Sequence, residues 1–166
     1  RRSEICGLRW ESVDLDAGLL SIREARTEIG GVEILKAPKT RTSNRRLGIT
    51  GLQDLRRVLL RAWERRRTND PREWVVLRPD GTPPKPDQLT QGLLTVVRQK
   101  GLPRISLHGL RHSFASVANS QGVPMFDISR TLGHSSMSVT SNIYTHLFDE
   151  TETRTLTVVA RAIEEA

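Results

Sequence analysis

A chain of 166 residues is long enough for one domain with its own core and demands no second. Its 26 Lys and Arg against 19 Asp and Glu give a net charge of +7 and a pI near 10.6, which favours a polyanionic partner, above all nucleic acid. A single cysteine, Cys6, excludes an intrachain disulfide. No apolar run approaches the ~18 residues of a membrane span, and no signal-peptide pattern is present.

Residues 2 to 9 read as the end of a helix, with Ile5 and Leu8 on one face. Arg1-Arg2-Ser3-Glu4 looks like mid-helix, so the chain is expected to be a fragment whose upstream part is missing. Cys6, in an apolar run, reads as a small core residue rather than a nucleophile. Strand character follows at Leu19–Ala25, Val32–Ala37 and Asn44–Ile49, separated by Gly30-Gly31 and by the polar turn Pro38–Ser43. These segments predict a small antiparallel meander with a basic tip.

Thr50 and Gln53 fit a capping box opening a helix to about Arg67, with Leu52, Leu55, Leu59 and Ala62 inward. Its arginines, from Arg56 to Arg67, read as a solvated face rather than a DNA contact. Trp74–Leu77 is a short extended segment. Asp87 is the expected N-cap of a helix to Lys100 that buries Leu89, Leu93, Val96 and Val97, with Gly101 just past its end. A further helix is predicted from His108 to Gln121, with Leu110, Phe114 and Val117 inward and Gly122 as its stop. Pro124 fits the first turn of the next, ending at Leu132 and Gly133. Helices from about Met137 to Tyr144 and from Glu152 to Glu165 complete the pattern, the last with a stripe of Leu156, Val159 and Ile163.

The side chains suited to chemistry concentrate late in the chain. His108 and Arg111 share the first turn of a helix, where backbone N–H groups and the helix dipole favour an anion. Arginine there can hold two phosphate oxygens in a fork. Such a pair is common by chance, and its bland reading is a core or capping histidine beside a surface arginine. Tyr144 is the only tyrosine. With a phenol pKa of about 10 it needs neighbouring cations or a base, such as His108 or His134, to act as a nucleophile. Alone it would read as a half-buried aromatic, and His134 as a cap on helix carbonyls. Lys39 in the polar turn could give a proton to a leaving alkoxide, though alone it is one basic loop residue among several. The histidines and acids show no zinc-ligand spacing and no carboxylate cluster for two-metal chemistry. No glycine-rich phosphate loop is present, so no cofactor is expected.

Together these segments resemble the catalytic domain of the tyrosine recombinases, the phage-type integrase family. Four blocks match in order: Arg1–Trp10, with an acid three positions after Arg1; Pro38-Lys39-Thr40 with Arg45-Arg46-Leu47; Ser106–Ala115, holding His108-Gly109-Leu110-Arg111; and Leu132–Ser136 followed by Ile143–His146. The resemblance implies that Tyr144 attacks the scissile phosphate, leaving a 3′-phosphotyrosyl link and a free 5′-hydroxyl. Arg1 and Arg111 would hold the non-bridging oxygens, and Lys39 would act as general acid. His108 would serve in proton transfer and His134 would donate a hydrogen bond to the phosphate. His112 and His146 are left to packing or local hydrogen bonds.

The resemblance also implies a mainly α (α+β) fold, a helical catalytic domain with a small three-stranded antiparallel sheet. Residues 1–166 would form an N-terminally truncated catalytic domain without the family's upstream core-binding domain. The implied partner is double-stranded DNA, bound by a homotetramer on paired sites with C-terminal helix exchange. The expected location is cytoplasmic and nucleoid-associated, away from membranes. Rival readings are a helix-turn-helix regulator using Ala118–Ser136, a type IB topoisomerase, and a catalytically silent DNA-binding relative.

Overall fold

The computed structural model describes residues 1–36, 44–66 and 68–133. Among them are five α-helices, α1 (Arg2–Cys6), α2 (Gln53–Glu64), α3 (Pro86–Gln99), α4 (Leu107–Ser120) and α5 (Met125–Leu132), and five short strands. Strands β1 (Val13–Asp14), β2 (Leu19–Ile22) and β5 (Arg45–Gly48) form one antiparallel sheet in the order β1-β2-β5. Strands β3 (Ala25–Ile29) and β4 (Val32–Lys36) form a separate two-stranded hairpin. None of the described helices is long and apolar enough to cross a membrane.

The three-stranded sheet is present, but it is not the predicted meander. The segment at 32–36 pairs only with β3, while β5 returns to β2 with Leu20 opposite Leu47 and Ile22 opposite Arg45. The cause is a break in the first predicted strand at Arg23-Glu24. The Glu24 carboxylate is held by Arg9 at 3.1 Å. The Glu24 carbonyl presses so close to Gly7 that a Cβ there would lie 2.9 Å from the oxygen. Past this bend the chain changes partner. Gly30 and Gly31, at φ 59° and 81°, close the hairpin with the left-handed pair that a two-residue turn requires. Arg26 is 3 % exposed; it pairs with Glu33 across the hairpin and donates to the Pro84 carbonyl at 3.1 Å.

Alternation along β2 turns Leu20 and Ile22 inward. They pack with Trp10, Ile49, Leu59 and Val75 into the larger apolar cluster, and Trp63 meets Trp10 edge-on at 5.0 Å. The predicted segment at 74–77 enters this cluster through Val75, whose N–H donates to the Leu8 carbonyl at 3.0 Å. Helix α2 begins at Gln53, not Thr50, and the expected capping box is absent. Gly18 packs against Thr50, and the Gln53 amide donates to the Thr50 carbonyl at 3.5 Å. The small sheet covers Leu59 and part of Ala62, so Leu52 and Leu55 stay exposed, contrary to the pattern. The arginine face is mostly solvated as expected, though Arg56 donates to the Leu15 carbonyl and Arg66 stacks on Trp63 at 3.3 Å.

Helix α3 starts two residues early because Pro86 takes the first position, with Lys85 rather than Asp87 as N-cap. The Gln88 side chain accepts from the Lys85 N–H at 2.9 Å, leaving Asp87 to pair with Arg2 at 2.7 Å. Val97 is buried, Leu89 and Leu93 are half-buried and Val96 is exposed. Helix α4 departs most from the expected stripe: Leu110, Phe114 and Val117 are exposed. The inward side chains are Ala115 and Ala118, packed against Ile128, Leu132 and Met125 of α5 in a second cluster. Small residues mark this face because the two helices approach closely there. Gly122 and Gly133, at φ 77° and 66°, end α4 and α5 as predicted.

Candidate active site

Residues 108, 111, 115 and 118 follow one another at helical spacing, so the face of α4 that Ala115 and Ala118 bury on α5 carries His108 and Arg111 at its start. Ser106 begins the helix, its hydroxyl accepting from the Gly109 N–H at 2.9 Å. This cap fixes the turn on which His108 stands. The His108 ring is exposed and meets His112 edge-on at 4.4 Å, which gives His112 the local packing expected of it. His108 and Arg111 line an open cleft of about 650 Å³ together with Arg1, Arg2 and Thr90. The structure thus brings together three of the six predicted site residues: Arg1, His108 and Arg111. Lys39, His134 and Tyr144 lie outside the described residues, as do the last two predicted helices.

Arg1 and Arg111 are anchored at the same place. The last carbonyls of a helix have no partner within it. At α5 they are taken in register by three guanidiniums. Arg45 Nε donates to the Thr131 carbonyl at 2.7 Å, Arg111 to that of Leu132 and Arg1 to that of Gly133. Positive charge at this end also complements the helix dipole. The αL turn at Gly133 lets the chain leave without obstructing them, since a Cβ there would stand 2.7 Å from Arg45 Nη1.

Glu4 ties the arginines to one another. Its carboxylate accepts from Arg1 at 2.8 Å and from both terminal nitrogens of Arg45, at 2.9 and 3.2 Å. The Glu4 side chain is 7 % exposed and that of Arg45 is 10 % exposed, whereas Arg1 is 35 % exposed. Burial works against a charged carboxylate here, but the hydrogen bonds and charge of Arg45 outweigh it and hold Glu4 below the usual carboxylate range. Cys6, by contrast, is buried and its thiol is raised above the usual range by desolvation, consistent with a packing role. Among the described residues no group of three or more His, Cys, Asp or Glu is placed to hold a metal ion.

Two residues that build the site lie inside the matched blocks but were given no role there. Arg45 follows the lysine turn on β5, where the alternation sets it on the same side as half-buried Leu47. An inward arginine on a strand needs a buried carboxylate, and that is the signal by which it could be found. Ser106 is the other, legible as a capping serine three residues before Gly109.

The geometry agrees with what comparison of the chain with known proteins gives. Residues 1–151 match the Phage integrase family. The tyrosine recombinase XerA of Thermococcus kodakarensis is 31% identical over 150 residues, covering 87% of this chain and 45% of that protein. A XerC-like tyrosine recombinase of Caldanaerobacter subterraneus is 26% identical over 173 residues, covering 92% and 44%. The chain therefore spans less than half the length of these relatives. Among solved structures, the Tn1549 transposon integrase in complex with transposon right end DNA superposes with a TM-score of 0.78 at 21% identity, over 96% of this chain and 55% of that one. The XerA recombinase crystal structure gives 0.61, also at 21% identity, over 95% and 52%. These likenesses show an integrase-like fold of helices with small antiparallel sheets. The chain belongs to the phage integrase family of tyrosine recombinases.

Proposed function

We propose that residues 1–166 form the catalytic domain of a site-specific DNA recombinase that cuts and rejoins duplex DNA through a 3′-phosphotyrosyl intermediate. The observation that carries this reading is the cleft with Arg1 and Arg111 on it, both anchored to α5, and His108 beside them. A phosphodiester held between two guanidiniums has its developing negative charge stabilised by donors already in place. Tyr144 supplies the nucleophilic oxygen, which bonds to phosphorus as the bond to the 5′-oxygen breaks. Lys39 protonates that leaving oxygen, His108 takes part in proton transfer with the tyrosine, and His134 donates a hydrogen bond to the phosphate. The phosphotyrosyl link conserves the bond energy, so a second 5′-hydroxyl can displace Tyr144 without ATP or a metal.

The basic charge fits duplex DNA as substrate, and the Tn1549 relative was solved bound to DNA. We further propose a mainly helical domain that works as a homotetramer on paired sites, exchanging the C-terminal helix that bears Leu156, Val159 and Ile163, in the nucleoid of the cell. The test is covalent adduct formation by the full-length protein on a nicked suicide substrate. Wild type should trap DNA and Tyr144→Phe should not; equal amounts from both would overturn the reading. The regulator alternative takes α4, the Gly122 turn and α5 as its DNA reader and predicts binding without adduct, so the same assay separates the two.

A further inference from the structure

We propose that Arg45 is a positioning residue for the phosphate clamp, locking Arg1 through Glu4 and fixing the end of α5 on which Arg1 and Arg111 rest. This inference rests on the recombinase reading and adds a residue to it.

Arg45 is the only one of the three anchoring arginines that does not line the cleft. Its side chain is 10 % exposed, so it is held inside the protein and acts there through other groups. One edge of the guanidinium meets both Glu4 oxygens and its Nε meets the Thr131 carbonyl. A fork with a third donor on a separate side is a geometry that lysine cannot reproduce. Glu4 in turn holds Arg1 at 2.8 Å. The guanidinium also packs against Gly133, whose carbonyl accepts from Arg1 as its other anchor. Arg45 therefore touches both supports of Arg1, the carboxylate and the α5 terminus, and one support of Arg111. It stands on β5, nine residues past Lys36 at the end of β4 in the hairpin and across from Ile22 of the three-stranded sheet. That places the sheet, α1 and α5 in register around one buried cation.

The experiment uses the full-length protein and compares Arg45→Gln and Arg45→Lys with wild type. It measures adduct formation at saturating DNA on two suicide substrates. One has an ordinary scissile phosphate and the other a methylphosphonate, in which a methyl group replaces a charged non-bridging oxygen. On phosphate, Arg45→Gln should slow adduct formation about 10- to 100-fold, the scale of a misplaced catalytic group, with DNA affinity little changed. Arg45→Lys, which keeps a charge beside Glu4 and so protects the fold, should show a smaller loss in the same direction. On methylphosphonate, where there is less charge to clamp, both losses should shrink. Unimpaired cleavage by Arg45→Gln, or equal losses by both variants on the two substrates, would overturn the proposal, the second result indicating a general folding defect. A wild-type protein that forms no Tyr144-dependent adduct would overturn the recombinase reading and this inference with it, whereas the first two results would leave that reading standing.

Discussion

Gly133→Ala probes the seam between α5 and the arginines with a single methyl group. Two costs are expected, and the structure provides a way to separate them. At φ 66° any L-residue other than glycine carries a backbone penalty of roughly 1–2 kcal/mol. The added Cβ would also stand 2.7 Å from Arg45 Nη1 and 3.1 Å from its Cζ, closer than real contacts allow. Arg45 must then retreat, loosening its hydrogen bonds to Glu4 or Thr131, each of which involves a charged group and is worth about 1.5–3 kcal/mol. Gly122→Ala is the control, because Gly122 has φ 77° and nothing within 4 Å of the added carbon. The expected losses are about 1–2 kcal/mol for Gly122→Ala and about 3–4 kcal/mol for Gly133→Ala, by the same two sources. Urea unfolding of both variants and wild type measures them. Equal losses would show that Arg45 yields without penalty and that its packing on Gly133 contributes nothing.

Arg111→Ala should lower the adduct rate by about 10²–10³-fold, the usual effect of removing one preorganised donor, in a single-turnover cleavage assay. Arg45 holds the Glu4 carboxyl below its ordinary 4.5 in the folded protein. Its contribution is therefore complete above pH 4.5 and lost progressively as pH falls below that. Chemical denaturation at pH 7 and pH 3 should show that loss in wild type, and Glu4→Gln should flatten it. Ser106→Ala should cost about 1 kcal/mol by removing the cap of α4, read from the thermal midpoint. Cleavage should survive a chelator, as measured by adduct yield with and without EDTA.

How much of this was legible in the sequence depends on what each pattern encodes. Helix ends were readable where glycine sets the backbone, as at Gly101, Gly122 and Gly133, whereas the start of α3 at Pro86 was not. Arg1, His108 and Arg111 were picked out together by the resemblance of their blocks to the family, and the structure sets all three on one cleft. The strand pairing was not, since alternation identifies a strand but not its partner; the bend at Glu24 depends on Arg9 and Gly7, distant from it in sequence. Nor was the inward face of α4. A search for large apolar residues selects Leu110, Phe114 and Val117, while the face that meets α5 is marked by alanine. Arg45 lay in a matched block, but its pairing went unread because its carboxylate lies 41 positions away on α1.

The described residues hold two separate apolar clusters, one around Trp10 and Leu59 and a smaller one between α4 and α5. Across the boundary between them run hydrogen bonds from Arg1 and Arg45, on the larger cluster's side, to the carbonyls that end α5. For the described residues this arrangement predicts two units of cooperativity rather than one. The amides of α4 and α5 should exchange with solvent through a partial opening in which the sheet stays intact, and raised salt should make that opening more frequent by weakening the arginine contacts. Bound phosphate, by engaging Arg1 and Arg111 at once, would couple the two units, so that substrate itself completes the rigidity of the site.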